Sequence, residues 1–90
     1  MEIHKTKDIF EAAWIHSQGT QLLRLEPDDH YCWFVFSNFW DISENLAQKY
    51  WSQQATGDIK KYVNSLKTLK DLIFSQTYAY KNSEKSTDTP

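Results

Sequence analysis

The chain has 90 residues, which is enough for one domain that buries about 60% of the surface exposed by its unfolded form. Twelve acidic and ten basic residues give a formal charge of −2, which is too small for a DNA mimic and of the wrong sign for general phosphate binding. The single cysteine excludes an internal disulfide framework, and no apolar run reaches the roughly 18 residues that a membrane-spanning helix requires.

The first predicted elements are a short strand over residues 3–5 and a helix that ends near Gln18. Thr6 is the expected N-cap of this helix, and Asp8 lies in the first turn, where a carboxylate interacts favourably with the helix dipole. Gly19 stands where glycine commonly ends a helix. At 100° per residue, one arc of the helix is apolar and contains Ile9, Phe10, Ala13 and Trp14.

The second predicted strand covers residues 20–26, where apolar and polar side chains alternate. Pro27, Asp28 and Asp29 follow it and predict a turn, because proline presets one backbone angle and aspartate hydrogen-bonds to its own backbone. The turn leads into a third, strongly aromatic segment. We therefore expect a β-hairpin.

Residues 30–40, with the sequence HYCWFVFSNFW, contain six aromatic residues in eleven positions. In a strand, alternate side chains point to opposite faces of the sheet. One face carries Tyr31, Trp33 and Val35, and the other carries Cys32, Phe34 and Phe36. Because both sets are apolar, the strand is either buried on two sides or keeps one face for a partner.

Two more helices are predicted after this segment. Asp41 and Glu44 have the spacing of a capping box, so we expect the second helix to begin there. The third helix is expected to begin after a cap at Thr56 or Asp58. The apolar positions of the second helix are Ile42, Leu46, Ala47, Tyr50 and Trp51, and those of the third are Ile59, Tyr62, Val63, Leu66, Leu69, Ile73 and Phe74.

The predicted architecture is an α+β domain with the element order β-α-β-β-α-α. An antiparallel hairpin, extended to three strands where residues 3–5 pair with it, packs against helices one and three. Residues 1–80 are expected to form the domain, and residues 81–90 to form a disordered polar tail because they contain no apolar residue. The expected core contains Ile9, Phe10, Ala13, Leu23, Leu25, Cys32, Phe34, Phe36, Leu46, Tyr50, Val63, Leu66, Leu69 and Ile73.

No catalytic or metal-binding signature emerges from the sequence. Apart from His4, the soft-metal ligands are His16, His30 and Cys32, and their spacing is not that of a structural zinc site. Cys32 lies between two aromatic residues, and an apolar setting makes a thiol less reactive. The chain has no phosphate loop and no G-x-S-x-G or H-E-x-x-H motif. We therefore predict that it is not an enzyme and uses no cofactor or metal.

The surplus of aromatic residues predicts a surface for a protein partner or for a homodimer, because Trp, Tyr and Phe dominate binding hot spots. The candidates are Tyr31, Trp33, Trp14, Trp40 and Trp51, each with core packing as its alternative role. The second hypothesis is weak nucleic-acid binding through Lys60 and Lys67, or through bases stacked on Tyr31 and Trp33. The first residues lack the long apolar stretch of a signal peptide, so a cytoplasmic location without membrane association is expected.

Four parts of the chain also carry a family resemblance. They are Thr6-Lys7-Asp8, Cys32-Trp33-Phe34-Val35-Phe36, Trp51, and Leu66 with Leu69-Lys70-Asp71-Leu72. In these positions, over about residues 6–75, the chain resembles a small domain-of-unknown-function family that is scattered through bacterial genomes, phages and integrative elements. The resemblance implies a compact α+β domain and a mobile-element or accessory-gene setting, in which the chain is an accessory protein. It implies no catalytic residue.

Overall fold

The computed structural model describes residues 2–29 and 31–88, with side chains described for residues 2–29 and 31–76. Within these residues the order of elements confirms the predicted α+β arrangement, β-α-β-β-α-α. The elements are strand β1 (Ile3–Thr6), helix α1 (Ile9–Ser17), strand β2 (Leu22–Pro27), strand β3 (Cys32–Ser37), a 3₁₀ turn (Phe39–Asp41), helix α2 (Ile42–Trp51) and helix α3 (Ile59–Asp88).

The aromatic strand β3 lies in the centre of the sheet. The strand order is β1-β3-β2, and both neighbours run antiparallel to β3. Phe34 is paired with Thr6 on one side and with Leu25 on the other, so these three side chains share one face. The N-terminal strand therefore extends the hairpin to three strands, as the sequence predicted.

The three helices pack on the sheet face that carries Phe34 and Phe36. Both phenylalanines are fully buried, and they form one apolar cluster with residues from each helix. Its other buried members are Ala12, Ala13, Trp14 and Ile15 of α1, Ala47 of α2 and Leu69 of α3. The helices and the sheet thus form two layers around one apolar core, in which α3 packs mainly against α1.

The prediction that Leu23 belongs to the core is wrong. The pairing of β2 with β3 shifts between Leu22 and Arg24, which is the geometry of a β-bulge. The extra residue moves Leu22 onto the face of Phe36, where it packs against the core, and leaves Leu23 exposed. Strict alternation predicted the opposite faces for these two leucines because it does not allow for a bulge.

Helix α1 is buried around more of its circumference than an amphipathic arc predicts. Five consecutive residues from Glu11 to Ile15 are buried, since this helix contacts β1 and both other helices. The prediction that Phe10 belongs to the core is wrong, because this side chain is exposed on the remaining side of the helix. Its N-cap is Asp8, whose Oδ1 accepts hydrogen bonds from the backbone N–H groups of Phe10 and Glu11. Thr6 was the predicted cap and instead ends β1.

Helix α3 turns a partly polar stripe toward α1. Ser65 and Leu69 are its buried residues within the part whose side chains are described, and the Ser65 hydroxyl lies 2.8 Å from Nδ1 of His16. Val63, predicted to be in the core, is exposed because Ser65 takes the inward position. Asp58 caps the helix as expected, since its Oδ1 accepts from the backbone N–H of Lys61.

The C-terminal end of α3 includes most of the segment predicted to be a polar tail. The helix continues through Asp88, and the last two residues lie outside the described part of the chain. The division into a domain of residues 1–80 and a disordered tail of residues 81–90 stays a prediction. Across the described residues, no helix is long and apolar enough to cross a lipid bilayer.

We expect Phe34→Ala to lower the free energy of unfolding by about 2 to 5 kcal/mol, because it opens a cavity beneath all three helices. Such a loss approaches the whole stability of a small domain, so Phe34→Ala can unfold the protein. Phe34→Leu, with an expected loss of about 1 to 2 kcal/mol, is therefore measured as a milder variant that stays folded. Urea unfolding followed by circular dichroism measures both. Phe39→Ala is the control, because this side chain is exposed and its loss should change stability by less than about 0.5 kcal/mol. Equal stability of Phe34→Ala and the wild type would contradict the two-layer core.

Candidate functional site

The five aromatic candidates have very different exposures. Trp14 is only 7% exposed, and its indole N–H donates a 3.0 Å hydrogen bond to the carbonyl oxygen of Thr56. The Gln18 side chain donates a hydrogen bond to the same oxygen. A Cβ at position 57 would lie only 2.9 Å from the Gln18 side-chain nitrogen, so the glycine there leaves room for this contact. Trp14 therefore attaches the link between α2 and α3 to α1. It lies in the interior of the domain, which favours core packing over a contact with a partner.

Tyr31 and Trp33 lie together at the start of β3. Their ring centroids are 5.8 Å apart and their planes meet at 82°, so the rings form a corner. The indole N–H of Trp33 donates to Oδ2 of Asp28 at 3.5 Å. The ammonium of Lys7 lies over both rings, 4.5 Å from the centroid of Tyr31 and 5.8 Å from that of Trp33. We call Tyr31, Trp33 and the carboxylate of Asp28 the aromatic corner.

Trp40 lies in the 3₁₀ turn that joins β3 to α2, and it is the most exposed aromatic residue of the described chain. It is 89% exposed, and its neighbour Phe39 is 68% exposed. Ile42, at the start of α2, is also exposed. We call Phe39, Trp40 and Ile42 the apolar knuckle. Both Trp40 and Asp41 have left-handed backbone angles, with φ values of 58° and 57°.

Asn38 and Ser43 hold the two ends of the knuckle. Oδ1 of Asn38 accepts a 3.0 Å hydrogen bond from the backbone N–H of Glu44, and the Ser43 hydroxyl donates to the carbonyl oxygen of Ser37. Both side chains are buried. The predicted capping box of α2 is wrong, because the Asp41 side chain makes no capping hydrogen bond and Asn38 satisfies the helix N–H instead.

Trp51, at the C-terminal end of α2, is tied to a carboxylate that the sequence reasoning missed. Its ring is largely exposed, but its indole N–H donates to Oε1 of Glu11, a residue that is only 3% exposed. Nε2 of His4 lies 3.2 Å from the other carboxylate oxygen, and because a carboxylate only accepts, this nitrogen carries the proton. Glu11 thus connects α1 to β1 and to α2.

The electrostatic balance at Glu11 favours the ionised form. Burial raises the pKa of Glu11. Hydrogen bonds from His4, Trp51 and Thr6, together with the electrostatic interaction with His4, lower the pKa by more than burial raises it, so the pKa lies below its ordinary value of 4.5. A signal for this residue exists in the sequence. At 100° per residue, Glu11 lies between Trp14 and Ile15 on the helix, inside the face that is buried.

A cleft opens between the start of α1, the turn after β2 and the helix α3. Its volume is about 910 Å³. Its apolar lining includes Ile9, Phe34 and Ile73, and the remaining lining residues are Lys7, Pro27, Asp28, Asp29, Tyr31, Cys32 and Gln76.

Cys32, His4 and His16 form no metal site within the described residues. Burial raises the pKa of the Cys32 thiol, and a backbone hydrogen bond at Glu26 offsets only part of the rise. Among the described residues, no three His, Cys, Asp or Glu side chains are grouped so that they could hold a metal ion. His30 lies outside those residues.

The basic candidates lie on α3. Lys60 and Lys67 are both exposed and are seven residues apart, about two helical turns. A second set of cations lies on the sheet, where Lys5 and Arg24 each contact a carboxylate oxygen of Glu26 at 2.7 Å. These hydrogen bonds lower the pKa of Glu26. Because Glu26 neutralises part of their charge, the sheet is not a continuous basic surface.

A protein-family model described as Domain of unknown function (DUF5659) matches residues 1–75. The chain belongs to this family. This confirms the resemblance to a domain-of-unknown-function family, whereas the bacterial or phage origin stays a prediction. The matched residues of the DUF5659 domain include all three strands, the apolar knuckle, the aromatic corner and Glu11. Neither the curated proteins nor the solved structures include a match to this chain.

We expect Glu11→Gln to destabilise the DUF5659 domain by about 1 to 3 kcal/mol near neutral pH, because the new amide places a donor among donors. Since the folded-state pKa of Glu11 is lowered, its contribution is complete above about pH 4.5 and is lost as the pH falls through the folded-state pKa. The stability difference from the wild type should therefore shrink toward acid pH.

Urea unfolding from about pH 6 to about pH 3 measures this difference. Glu44→Gln is the matched control, because it makes the same substitution at an exposed position of α2, where the change in stability should be less than about 0.5 kcal/mol. If the stability difference between Glu11→Gln and the wild type stayed constant over this pH range, the pKa of Glu11 would not be lowered in the folded state.

Proposed function

We propose that the DUF5659 domain is a small, non-catalytic protein-interaction module and that the apolar knuckle is its contact surface. The observation that carries the proposal is Trp40, an indole that is 89% exposed on a left-handed backbone. Large aromatic side chains in such positions dominate binding hot spots. Phe39 and Ile42 extend the exposed apolar surface on either side.

The left-handed backbone conformation at position 40 disfavours any residue with a Cβ, so a tryptophan there needs an explanation. A left-handed conformation costs a residue with a Cβ roughly 1 to 2 kcal/mol, and glycine adopts it readily. Burial of the indole in the domain does not offset this cost, because almost all of its surface faces solvent. The fold alone therefore favours glycine at this position. An aromatic side chain here is explained by a contact made outside the domain.

The knuckle is a better candidate than the other exposed indole. Trp51 lies at the opposite end of α2, about 14 Å from Ile42 along the helix axis. Its N–H is already used by the buried carboxylate of Glu11. Trp51 thus has a role inside the domain, whereas the described contacts give the Trp40 ring none that buries it.

Trp40→Gly tests the proposal without unfolding the protein. We expect its free energy of unfolding to equal that of the wild type or to exceed it by up to about 1 kcal/mol, because glycine relieves the left-handed strain. We expect this variant to lose self-association, or binding to a protein partner. Light scattering over a wide concentration range measures self-association, and affinity capture with both proteins in parallel measures binding to other proteins. Ile59→Ala is the matched control, since it removes another highly exposed apolar side chain.

Loss of dimerisation, or of a captured protein, in Trp40→Gly but not in Ile59→Ala would support the proposal. A wild-type chain that stays monomeric at all concentrations and captures the same proteins as Trp40→Gly would overturn it. The further proposal of an accessory protein of a mobile element comes from the family resemblance, and the genes that flank the coding sequence test it.

Nucleic-acid binding is the weaker candidate, and the exposed pair Lys60 and Lys67 favours it. A labelled single-stranded oligonucleotide should bind weakly at physiological salt, because these are two cations on a net acidic chain. Any phosphate contacts should show a salt dependence with a slope near −0.7 per contact. Submicromolar binding that Lys60→Glu with Lys67→Glu abolishes, and that Trp40→Gly leaves intact, would make nucleic-acid binding the better account.

A further inference from the structure

We propose that the aromatic corner is a binding site for a quaternary ammonium group, and that Lys7 occupies this site in the free protein. The inference is independent of the apolar knuckle, because the corner lies at the start of β3 and the knuckle follows its end. Two observations support it: the ammonium of Lys7 lies over the rings of Tyr31 and Trp33, and the carboxylate of Asp28 accepts from the indole N–H of Trp33.

The two rings present the geometry that attracts an organic cation. Their planes are nearly perpendicular, and both ring centroids lie within 6 Å of the Lys7 nitrogen, at 4.5 and 5.8 Å. A cation at this distance from an aromatic face is attracted by the negative potential of the ring. The position of the Lys7 ammonium therefore marks where a cation sits in the corner.

The turn after β2 supplies negative charge to the same place. The carboxylate of Asp28 accepts from the indole N–H of Trp33 and from the backbone N–H of Asp29. The backbone N–H of Asp28 donates to the carbonyl oxygen of Tyr31 at 2.8 Å, which fixes the turn against the corner. Two aromatic rings and an adjacent carboxylate select a cation over an anion.

Lys7 can leave the corner without a change of fold. It lies in the link between β1 and α1, and its side chain is exposed. A primary ammonium is compact and strongly hydrated, whereas methyl groups on the nitrogen weaken hydration and increase contact with the rings. A quaternary ammonium should therefore displace Lys7 from the same position.

The adjoining cleft indicates what else the ligand carries. Lys7, Tyr31 and Asp28 also line this cleft, together with the apolar side chains of Ile9, Phe34 and Ile73. A ligand whose ammonium occupies the corner can therefore extend a short alkyl chain into the cleft. The chemical class that fits is therefore a quaternary ammonium compound with an apolar chain.

The experiment titrates the full chain with choline, with its uncharged isostere in which carbon replaces the quaternary nitrogen, and with hexyltrimethylammonium. The readout is the NMR shift of the Trp33 indole N–H, assigned from its absence in Trp33→Phe. Sodium chloride at matched ionic strength controls for salt. We expect a saturable shift with choline, a weaker or absent one with the isostere, and tighter binding of hexyltrimethylammonium.

Lys7→Ala should tighten choline binding by about two- to fivefold, because the internal competitor is gone. Tyr31→Leu should weaken it by a similar factor or more. Lys60→Ala is the matched control, since it removes one positive charge from α3, and it should leave the dissociation constant unchanged. The proposal is wrong if no saturable shift occurs in either the wild type or Lys7→Ala, if Lys60→Ala tightens binding as much as Lys7→Ala, or if the isostere binds as tightly as choline.

Discussion

The buried carboxylate of Glu11 is the interaction on which the arrangement of this domain depends. Apolar contacts are not directional, so the core cluster that contains Phe34 and Leu69 does not by itself determine how the helices are placed on the sheet. A buried carboxylate is directional, because each unsatisfied oxygen is costly and its donors must lie at defined positions. His4 brings β1 to one oxygen and Trp51 brings α2 to the other. Glu11 also lies in the first turn of α1, where the helix dipole favours a negative charge.

The apolar knuckle follows from the positions of β3 and α2. The end of β3 is joined to the start of α2 by the hydrogen bonds of Ser43 and Asn38, and both of these side chains are buried. The intervening 3₁₀ turn contains two consecutive residues with left-handed backbone angles, Trp40 and Asp41. Glycine adopts this conformation readily, so the backbone does not require an aromatic side chain at position 40.

The element order was predictable because alternation and the 3.6-residue period are local properties of the chain. The details that depend on distant residues were not. The bulge that moves Leu22 inward depends on pairing with β3, and the burial of Trp14 depends on a carbonyl group 42 residues away. Of the candidate surface residues, Trp40 could be recognised by type but not by exposure, since exposure is set by the packing of α2. Glu11 was overlooked because a charged residue is rarely assigned to a core.

The two apolar faces of β3 show how a small sheet uses its aromatic residues. On the helix side, Phe34 and Phe36 are buried by apolar packing. On the opposite face, Val35 is also fully buried, and its partners in the register are Lys5 and Arg24. Lys5 lies on β1 and Glu26 on β2, and β3 separates these two strands, so their ion pair must pass over β3. The aliphatic parts of the two side chains therefore cover the central strand. The middle of the strand is therefore closed on both faces, and the candidate aromatic surfaces lie at its two ends. The aromatic corner lies at the start of β3 and the apolar knuckle follows its end, so one buried strand positions both candidate surfaces.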